Sequence, residues 1–318
     1  MRALLVALAF AATPALADLT GLTAEGRAVE IEATPIPIAP EALADGVTQT
    51  GAWHLTAEDA GFGGLSGMLF DGTALTAISD RGEWLTAQVS TNGGLAITGA
   101  RMAPLIGGDG RPLSRRGDDF ADAEGLAHHP RGVVVTLERT HRGIVYAPDG
   151  EPLSVLRNRR FQSFVFNSGL EGLASLPEGA LLGLVEEREA DGFPVFLFRP
   201  DQKPVEGRLP APSRHAITGA DIGPDGLLYV IFRHWSPETG ISIRLRRYAL
   251  SPEGLPFADS VEDLAGWAAL SGIDNMEAVA VVPSEEDAGE EGVTVWILSD
   301  DNFNPPQRTV LVRLSIAS

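Results

Sequence analysis

Short apolar runs recur along the whole chain, each ended within a handful of residues by Gly, Pro, Asp or Asn. Several alternate apolar and polar residues, as in Ser242-Ile243-Arg244-Leu245-Arg246-Arg247-Tyr248. That period of two predicts β-strands with one face outward. Five stretches share one layout. An apolar strand carries an anchor residue, a tight turn follows, and a second, β-branched strand ends in polar residues. The five versions begin at Gly64-Leu65-Ser66-Gly67, Ala123-Glu124-Gly125-Leu126, Leu170-Glu171-Gly172-Leu173, Ala220-Asp221-Ile222 and Met276-Glu277-Ala278-Val279. Their anchors, Ser66, Glu124, Glu171, Asp221 and Glu277, lie 58, 47, 50 and 56 residues apart. This period suits an all-β propeller of four-stranded blades. A β-sandwich would not repeat matched acidic positions. Length divided by the period favours six blades over five. The N-terminal pieces Ala28–Glu32 and Ala52–Leu55 then supply most of a sixth blade, or else complete the last one.

In a propeller the innermost strand of each blade lines a common axis, so the anchors should converge there. Carboxylates gathered in a partly dehydrated channel repel one another. A divalent cation, protonation or pairing with arginine relieves this. A second repeated position ends the second strand: Asp80-Arg81, Glu138-Arg139, Glu187-Arg188, then Arg233, then Asp300-Asp301-Asn302. Antiparallel pairing brings this position beside the anchor. The predicted metal ligands are therefore Asp80, Glu124, Glu171, Glu277, Asp300 and Asp301. Oxygen-only donors select a hard cation, of which Ca²⁺ is the natural choice. Arg81, Arg139 and Arg188 would rim the site with forked donors for an anion. With Glu124 and Glu171 they form the predicted catalytic set. The same acid–arginine pairs would equally serve as salt bridges between blades.

Composition narrows the function classes. The absence of cysteine removes disulfides, thiolate chemistry and Cys-based metal sites. A formal charge of −19 argues against nucleic acid. Arg2, the apolar run Ala3–Ala12, Pro14 and Ala15-Leu16-Ala17 form a Sec-type signal-peptide pattern with cleavage before Asp18. The expectation is a leader over 1–17, a single propeller domain over 18–318, and a periplasmic or secreted protein with no membrane span in its mature form. The acidic run 285–291 reads as a solvated loop. No Gly-x-Ser-x-Gly elbow, Walker loop or His-Glu-x-x-His motif occurs.

The combination of Gly63-Gly64-Leu65-Ser66-Gly67, Ser79-Asp80-Arg81-Gly82, Asp122-Ala123-Glu124-Gly125-Leu126, Asn167-Ser168-Gly169-Leu170-Glu171-Gly172, Asp274-Asn275-Met276-Glu277 and Ser299-Asp300-Asp301-Asn302-Phe303 resembles the phytase-like propeller family, "esterase-like activity of phytase". The resemblance extends from about Gly61 to Leu314 and implies an exported bacterial propeller acting on esters or phosphoesters. The Asp-Asp-Pro-Ala-type signature of calcium-dependent propeller phytases is absent. Two readings follow. One is a calcium-dependent hydrolase of small anionic phosphate or carboxylate esters, with a lactonase as a close variant. The other is a non-catalytic exported propeller that binds a small anion or a partner protein.

Overall fold

The computed structural model describes residues 18–163, 169–210, 212, 214–284 and 292–317. The predicted leader, the Asn167-Ser168 part of the third motif and the acidic run 285–291 lie outside the described residues. Five antiparallel sheets form five blades. Blade 1 is built on Leu65–Phe70, Ala74–Ser79, Glu83–Ser90 and Ala96–Pro104. Blade 2 uses Ala123–His129, Gly132–Leu137, Arg142–Tyr146 and Pro152–Leu156. Blade 3 uses Leu170–Ser175, Leu181–Val185, Phe193–Phe198 and Val205–Leu209. Blade 4 uses Ala216–Ile222, Leu228–Ser236, Gly240–Tyr248 and Glu262–Ala268. Blade 5 joins Met276–Pro283, Gly292–Ser299 and Val310–Ala317 to the N-terminal strand Val47–Ala57. The innermost strands touch in sequence around the ring, and blade 5 meets blade 1.

Of the two blade numbers the repeat allowed, the structure has five rather than the favoured six, and Val47–Ala57 completes the last blade. The N-terminal segment does not build a blade of its own because it is distributed over three existing ones. Arg27–Ala28 pairs with the outer strand of blade 1, Ala42–Leu43 with that of blade 4, and Ile31–Pro35 with Val47–Ala57 on blade 5. An outer strand leaves unpaired backbone groups at a sheet edge, and this belt satisfies them on three adjacent blades. It also closes the ring, since blade 5 contains strands from both ends of the described chain.

The core lies between blades rather than within them. Trp84 of blade 1 meets Tyr146 of blade 2 edge to face, with ring centroids 5.2 Å apart. Phe193 of blade 3 meets Phe232 of blade 4 at 6.2 Å. Tyr229, Ile231 and Trp267 of blade 4 pack with Val295, Ile297 and Leu314 of blade 5. Leu65, Leu85 and Met102 of blade 1 pack with Trp296 and Leu298 of blade 5. Strands buried on both faces explain the continuous apolar runs, such as Gly132–Leu137, in which every residue is buried.

One local device recurs at the axis. The ladder slips between Leu65 and Gly67, Leu170 and Gly172, Ile217 and Gly219, and Met276 and Ala278. In blade 2 the same bulge has Glu124 and Gly125 together facing Thr136, between the pairs Leu126–Val135 and Ala123–Leu137. A bulge re-aims the extra side chain, and here that residue is Ser66, Glu124, Glu171, Thr218 or Glu277. The fourth blade therefore anchors on Thr218, within Ile217-Thr218-Gly219, and not on Asp221. Asp221 instead accepts the backbone N–H of Val281 at 2.8 Å and so straps blade 4 to blade 5. The glycine after the anchor permits close approach of neighbouring strands. A Cβ on Gly219 would lie 2.2 Å from the carbonyl oxygen of Glu277.

Hydroxyls finish the inter-blade seams. Thr218 Oγ1 donates to the Met276 carbonyl at 2.8 Å. Thr136 Oγ1 accepts the Gly125 N–H at 2.8 Å and donates to the Leu170 carbonyl at 2.8 Å. Thr136→Val would strand a buried N–H and a buried C=O, each costing about 1–3 kcal/mol. Chemical denaturation is expected to show a destabilisation of roughly 2–6 kcal/mol with an unchanged slope. A change within experimental error would show that the seam does not depend on this hydroxyl.

Candidate active site at the channel mouth

Two rings of side chains meet at one end of the axis. The bulged anchors form the first. The second consists of Asp80, Glu138, Glu186 and Asp300, each just beyond its second strand, and of Arg233, which holds the same place within the longer second strand of blade 4. Register fixes this set. Asp80 N–H donates to the Gly64 carbonyl, Glu138 N–H to Asp122, Glu186 N–H to Gly169, and Asp300 N–H to Asn275. Arg233 stands opposite Ala216 at the corresponding place on blade 4. Glu186, rather than Glu187, holds the third blade's place, and Glu187 and Arg188 are both exposed.

Within the rings, two groups bring carboxylate oxygens within 4.8 Å of one another: Asp122, Glu124 and Glu138, and Glu138, Glu171 and Glu186. Glu138 belongs to both. It is 6 % exposed, and Glu171 is 7 % exposed. No hydrogen bond from a described residue reaches the side chain of Glu124 or of Glu171. Burial pushes both carboxyls well above the ordinary range, and neighbouring acids push further: Glu171 on Glu124, and Glu186 on Glu171. Glu138 rises to about 8 through burial first and Asp122 second. Asp80 rises to about 7 through burial, with Asp122 and Glu277 adding repulsion. Its Oδ1 is buried with no hydrogen-bond partner among the described residues. Asp300, 3 % exposed, is raised by burial and then by Glu277 and Asp80.

Cations relieve only part of this crowding. Arg233 Nη1 donates to Glu277 Oε1 at 2.5 Å and to Asn275 Oδ1, and Nη2 reaches Glu186 Oε1 at 3.3 Å. Asn275 Nδ2 also donates to Glu277 Oε1 at 2.8 Å. Arg139 Nε lies 2.8 Å from Asp122 Oδ2. Beside Arg233 opens a cavity of about 680 Å³, whose wall includes His234, Trp235, Asn275, Asn302 and Gln307. Trp235 is 64 % exposed. The cavity and the acidic rings thus share Arg233 and Asn275.

The family model described as "Phytase-like: Esterase-like activity of phytase" matches residues 60–303, which contain all ten ring positions. The chain belongs to this phytase-like family. No curated protein matches it. Among solved structures, a gluconolactonase from Xanthomonas campestris is 13% identical, with 91% of this chain and 99% of that one covered and a TM-score of 0.45. A putative glucose dehydrogenase from Thermus thermophilus is 15% identical, with 90% and 100% covered and a TM-score of 0.35. A protein of unknown function from Dyadobacter fermentans is 12% identical, with 92% and 96% covered and a TM-score of 0.35.

In the phytase-like ring the predicted ligands take different places. Glu124 and Glu171 sit in the two carboxylate groups. Glu277 is held by Arg233 and Asn275. Asp80 and Asp300 flank the cluster. Asp301 turns away, with Oδ1 accepting the N–H groups of Gly64 and Phe303 at 2.8 and 3.0 Å and Oδ2 accepting Thr309 Oγ1 at 3.1 Å. That pattern locks the blade 5 loop to blade 1. Of the predicted arginines, Arg139 faces the cluster through Asp122. Arg81 is exposed, its guanidinium 3.3 Å from the centroid of the Phe303 ring. No contact among the described residues joins Arg188 to the acids.

The predicted set omitted Asp122, Glu138, Glu186, Arg233 and Asn275. Glu138 and Arg233 were visible as ends of second strands, and Asp122 and Asn275 each lie two residues before an anchor. Glu186 is found only by register.

Oxygen-only donors at this spacing, with an orphaned carboxylate oxygen beside them, fit a hard divalent cation. Proton linkage gives the test. Asp80 at about 7 and Glu138 at about 8 stand above their unfolded values of 3.8 and 4.5. The folded chain therefore binds more protons than the unfolded one across that window. Stability is greatest below about pH 4 on this account and is lost as pH rises toward 8. In chelator, Tm is expected to fall by about 5 °C or more between pH 5 and 8, and Ca²⁺ should recover most of that loss at pH 8. A Tm that ignores both pH and Ca²⁺ would leave the carboxylates without this role.

Proposed function

We propose that this protein is an exported hydrolase of small anionic esters that uses a divalent cation, Ca²⁺ by its donor set, held by Glu124, Glu138 and Glu171. The observation carrying the reading is the placement of Glu138 in two carboxylate groups at once, beside acids that receive no hydrogen bond from a described residue. Membership of the phytase-like family supports ester chemistry. The leader pattern supports a periplasmic or secreted location. Among the described residues no helix is long and apolar enough to cross a membrane.

A cation held there supplies Lewis-acid polarisation of a carbonyl or phosphoryl oxygen and a more acidic bound water. The chain's own groups do the remaining work. The cavity beside Arg233 admits the substrate next to the acidic rings. Arg233 and Asn275 sit on the shared wall, where a guanidinium face and an amide can orient an ester oxygen. Asp80, raised to about 7, holds or releases a proton near neutrality, which suits acid–base work. A lactone is a cyclic ester and would be polarised in the same way, so carboxylate esters, lactones and phosphoesters all fall within the reading.

One observation favours the non-catalytic alternative. Arg233 and Arg139 pair with three of the acids, Glu277, Glu186 and Asp122, as ring-holding salt bridges would. A substrate panel separates the two. Mature protein with Ca²⁺ should hydrolyse at least one of p-nitrophenyl carboxylates, p-nitrophenyl phosphates or sugar lactones. Glu138→Gln should lower kcat/KM by about 100-fold or more, the scale expected for loss of an electrostatic or acid–base group. If every panel member is inert, or if Glu138→Gln retains full rate, the hydrolase reading fails.

A further inference from the structure

Blade 4 breaks the pattern of the rings in both places at once. Its bulge residue is neutral Thr218, whose hydroxyl is committed to the Met276 carbonyl of blade 5. Its second-ring residue is Arg233, where the other blades carry Asp80, Glu138, Glu186 and Asp300. Blade 4 therefore brings no carboxylate to the ten positions and supplies their one basic side chain. The guanidinium reaches both ways around the ring, to Glu186 of blade 3 and Glu277 of blade 5. Its side chain is 24% exposed. Burial works against its charge, yet Glu277, Glu171, Glu186 and Glu124 together hold it more firmly protonated than a free arginine.

Of the five acids in the two close-set groups, Arg233 forms an ion pair with Glu186 alone. Asp122, Glu124, Glu138 and Glu171 lie on blades 2 and 3, and all four belong to the close-set groups. Glu171, more than nine-tenths buried, points into that cluster with no hydrogen-bond donor among the described residues. The two halves of the ring thus differ in kind. One is neutralised by Arg233, and in the other Arg139 offsets part of a larger acidic charge through Asp122.

We propose that Arg233 acts as a resident second cation, so that the ring takes a single divalent ion, placed on the side of blades 2 and 3. This rests on the metal-binding reading above and adds the stoichiometry and the residue that sets it. Opposite charge at short range in a partly dehydrated site favours filling both halves. A guanidinium fork satisfies two carboxylates from different blades with directed bonds, as a flexible ammonium would do less well. Without that charge, the two carboxylates it bridges, Glu186 and Glu277, would lose their cation and present oxygen donors to a second hard cation.

The test counts bound Ca²⁺ by calorimetric titration and by elemental analysis after gel filtration, on chelator-stripped mature protein. Wild type and Arg233→Lys are expected to bind about one equivalent and Arg233→Gln about two, with a larger Ca²⁺-induced rise in Tm for Arg233→Gln. Two equivalents in wild type, or a folded Arg233→Gln that still binds one, would overturn the inference. No equivalent in wild type would instead remove the metal-binding reading itself. Should Arg233→Gln fail to fold in chelator, recovery of native circular dichroism on adding Ca²⁺ supports the proposal. Failure to fold in Ca²⁺ as well counts against it.

Discussion

Repulsion among carboxylates held at a common axis is the constraint on which the rest of this structure depends. Each innermost strand bulges at one residue, and the bulge turns that residue toward its counterparts on the other blades. The second strand of each blade then adds another polar side chain at the same end. Left alone, such a cluster would loosen the ring. It is held because five seams of buried apolar side chains press neighbouring blades together. Burial contributes about 25 cal/mol for each Å² of apolar surface removed from water, and residues such as Trp84, Trp267, Tyr146 and Phe232 are almost wholly enclosed. The hydrophobic seams thus set the spacing that the acids must tolerate. Protons, arginines and, on the proposed reading, a divalent ion share the task of making that spacing tolerable.

Closure matters for the same reason. An open ring would relax by splaying at its weakest seam. The N-terminal segment prevents this by adding Val47–Ala57 directly to the C-terminal strand Val310–Ala317. It then lays short strands along blades 1, 4 and 5. Those blades flank Asp80, Asp300, Glu277 and Arg233, so the belt braces the sector that carries the cavity. Blades 2 and 3 have four strands each and no belt. Their shared seam depends on apolar contacts and on the double hydrogen bond of Thr136.

Much of the fold was legible in the sequence because a propeller repeats both its apolar pattern and its punctuation. The strands containing Glu124, Glu171 and Glu277 were found where the repeat placed them. Blade number was not legible, because arithmetic on length treats every residue as blade. Residues 27–57 instead complete blade 5 with Val47–Ala57 and add edge strands to blades 1, 4 and 5, and such pairing leaves no periodic signature. The site was partly legible for a related reason. Anchors with identical chemistry align themselves, so the axial positions of Glu124 and Glu171 could be read from the repeat. The fourth anchor was misplaced by three residues because Asp221 is acidic and Thr218 is not, although Ile217-Thr218-Gly219 matches the Glu-Gly pattern in shape. Glu186 and Glu187 are adjacent acids, and only the N–H of Glu186 bonding to Gly169 distinguishes them. Asp301 looked like a ligand by composition, yet its oxygens accept two backbone N–H groups and a hydroxyl within a loop.

These misplacements share a physical origin. A carboxylate is equally suited to holding a cation, capping backbone N–H groups or pairing with a guanidinium, and sequence cannot show which donors surround it. Here the three uses are sorted by position in the bulge-and-register scheme. Asp221 and Asp301 lie off that scheme and bind backbone. Glu277 lies on it but beside Arg233, and binds guanidinium. Glu124 and Glu171 lie on it where no described donor reaches them. On the proposed reading, the departure of blade 4 from the acidic repeat divides the ring into a half neutralised by Arg233 and a half still short of positive charge. It also puts the cavity of about 680 Å³ against the side of the ring that carries Arg233.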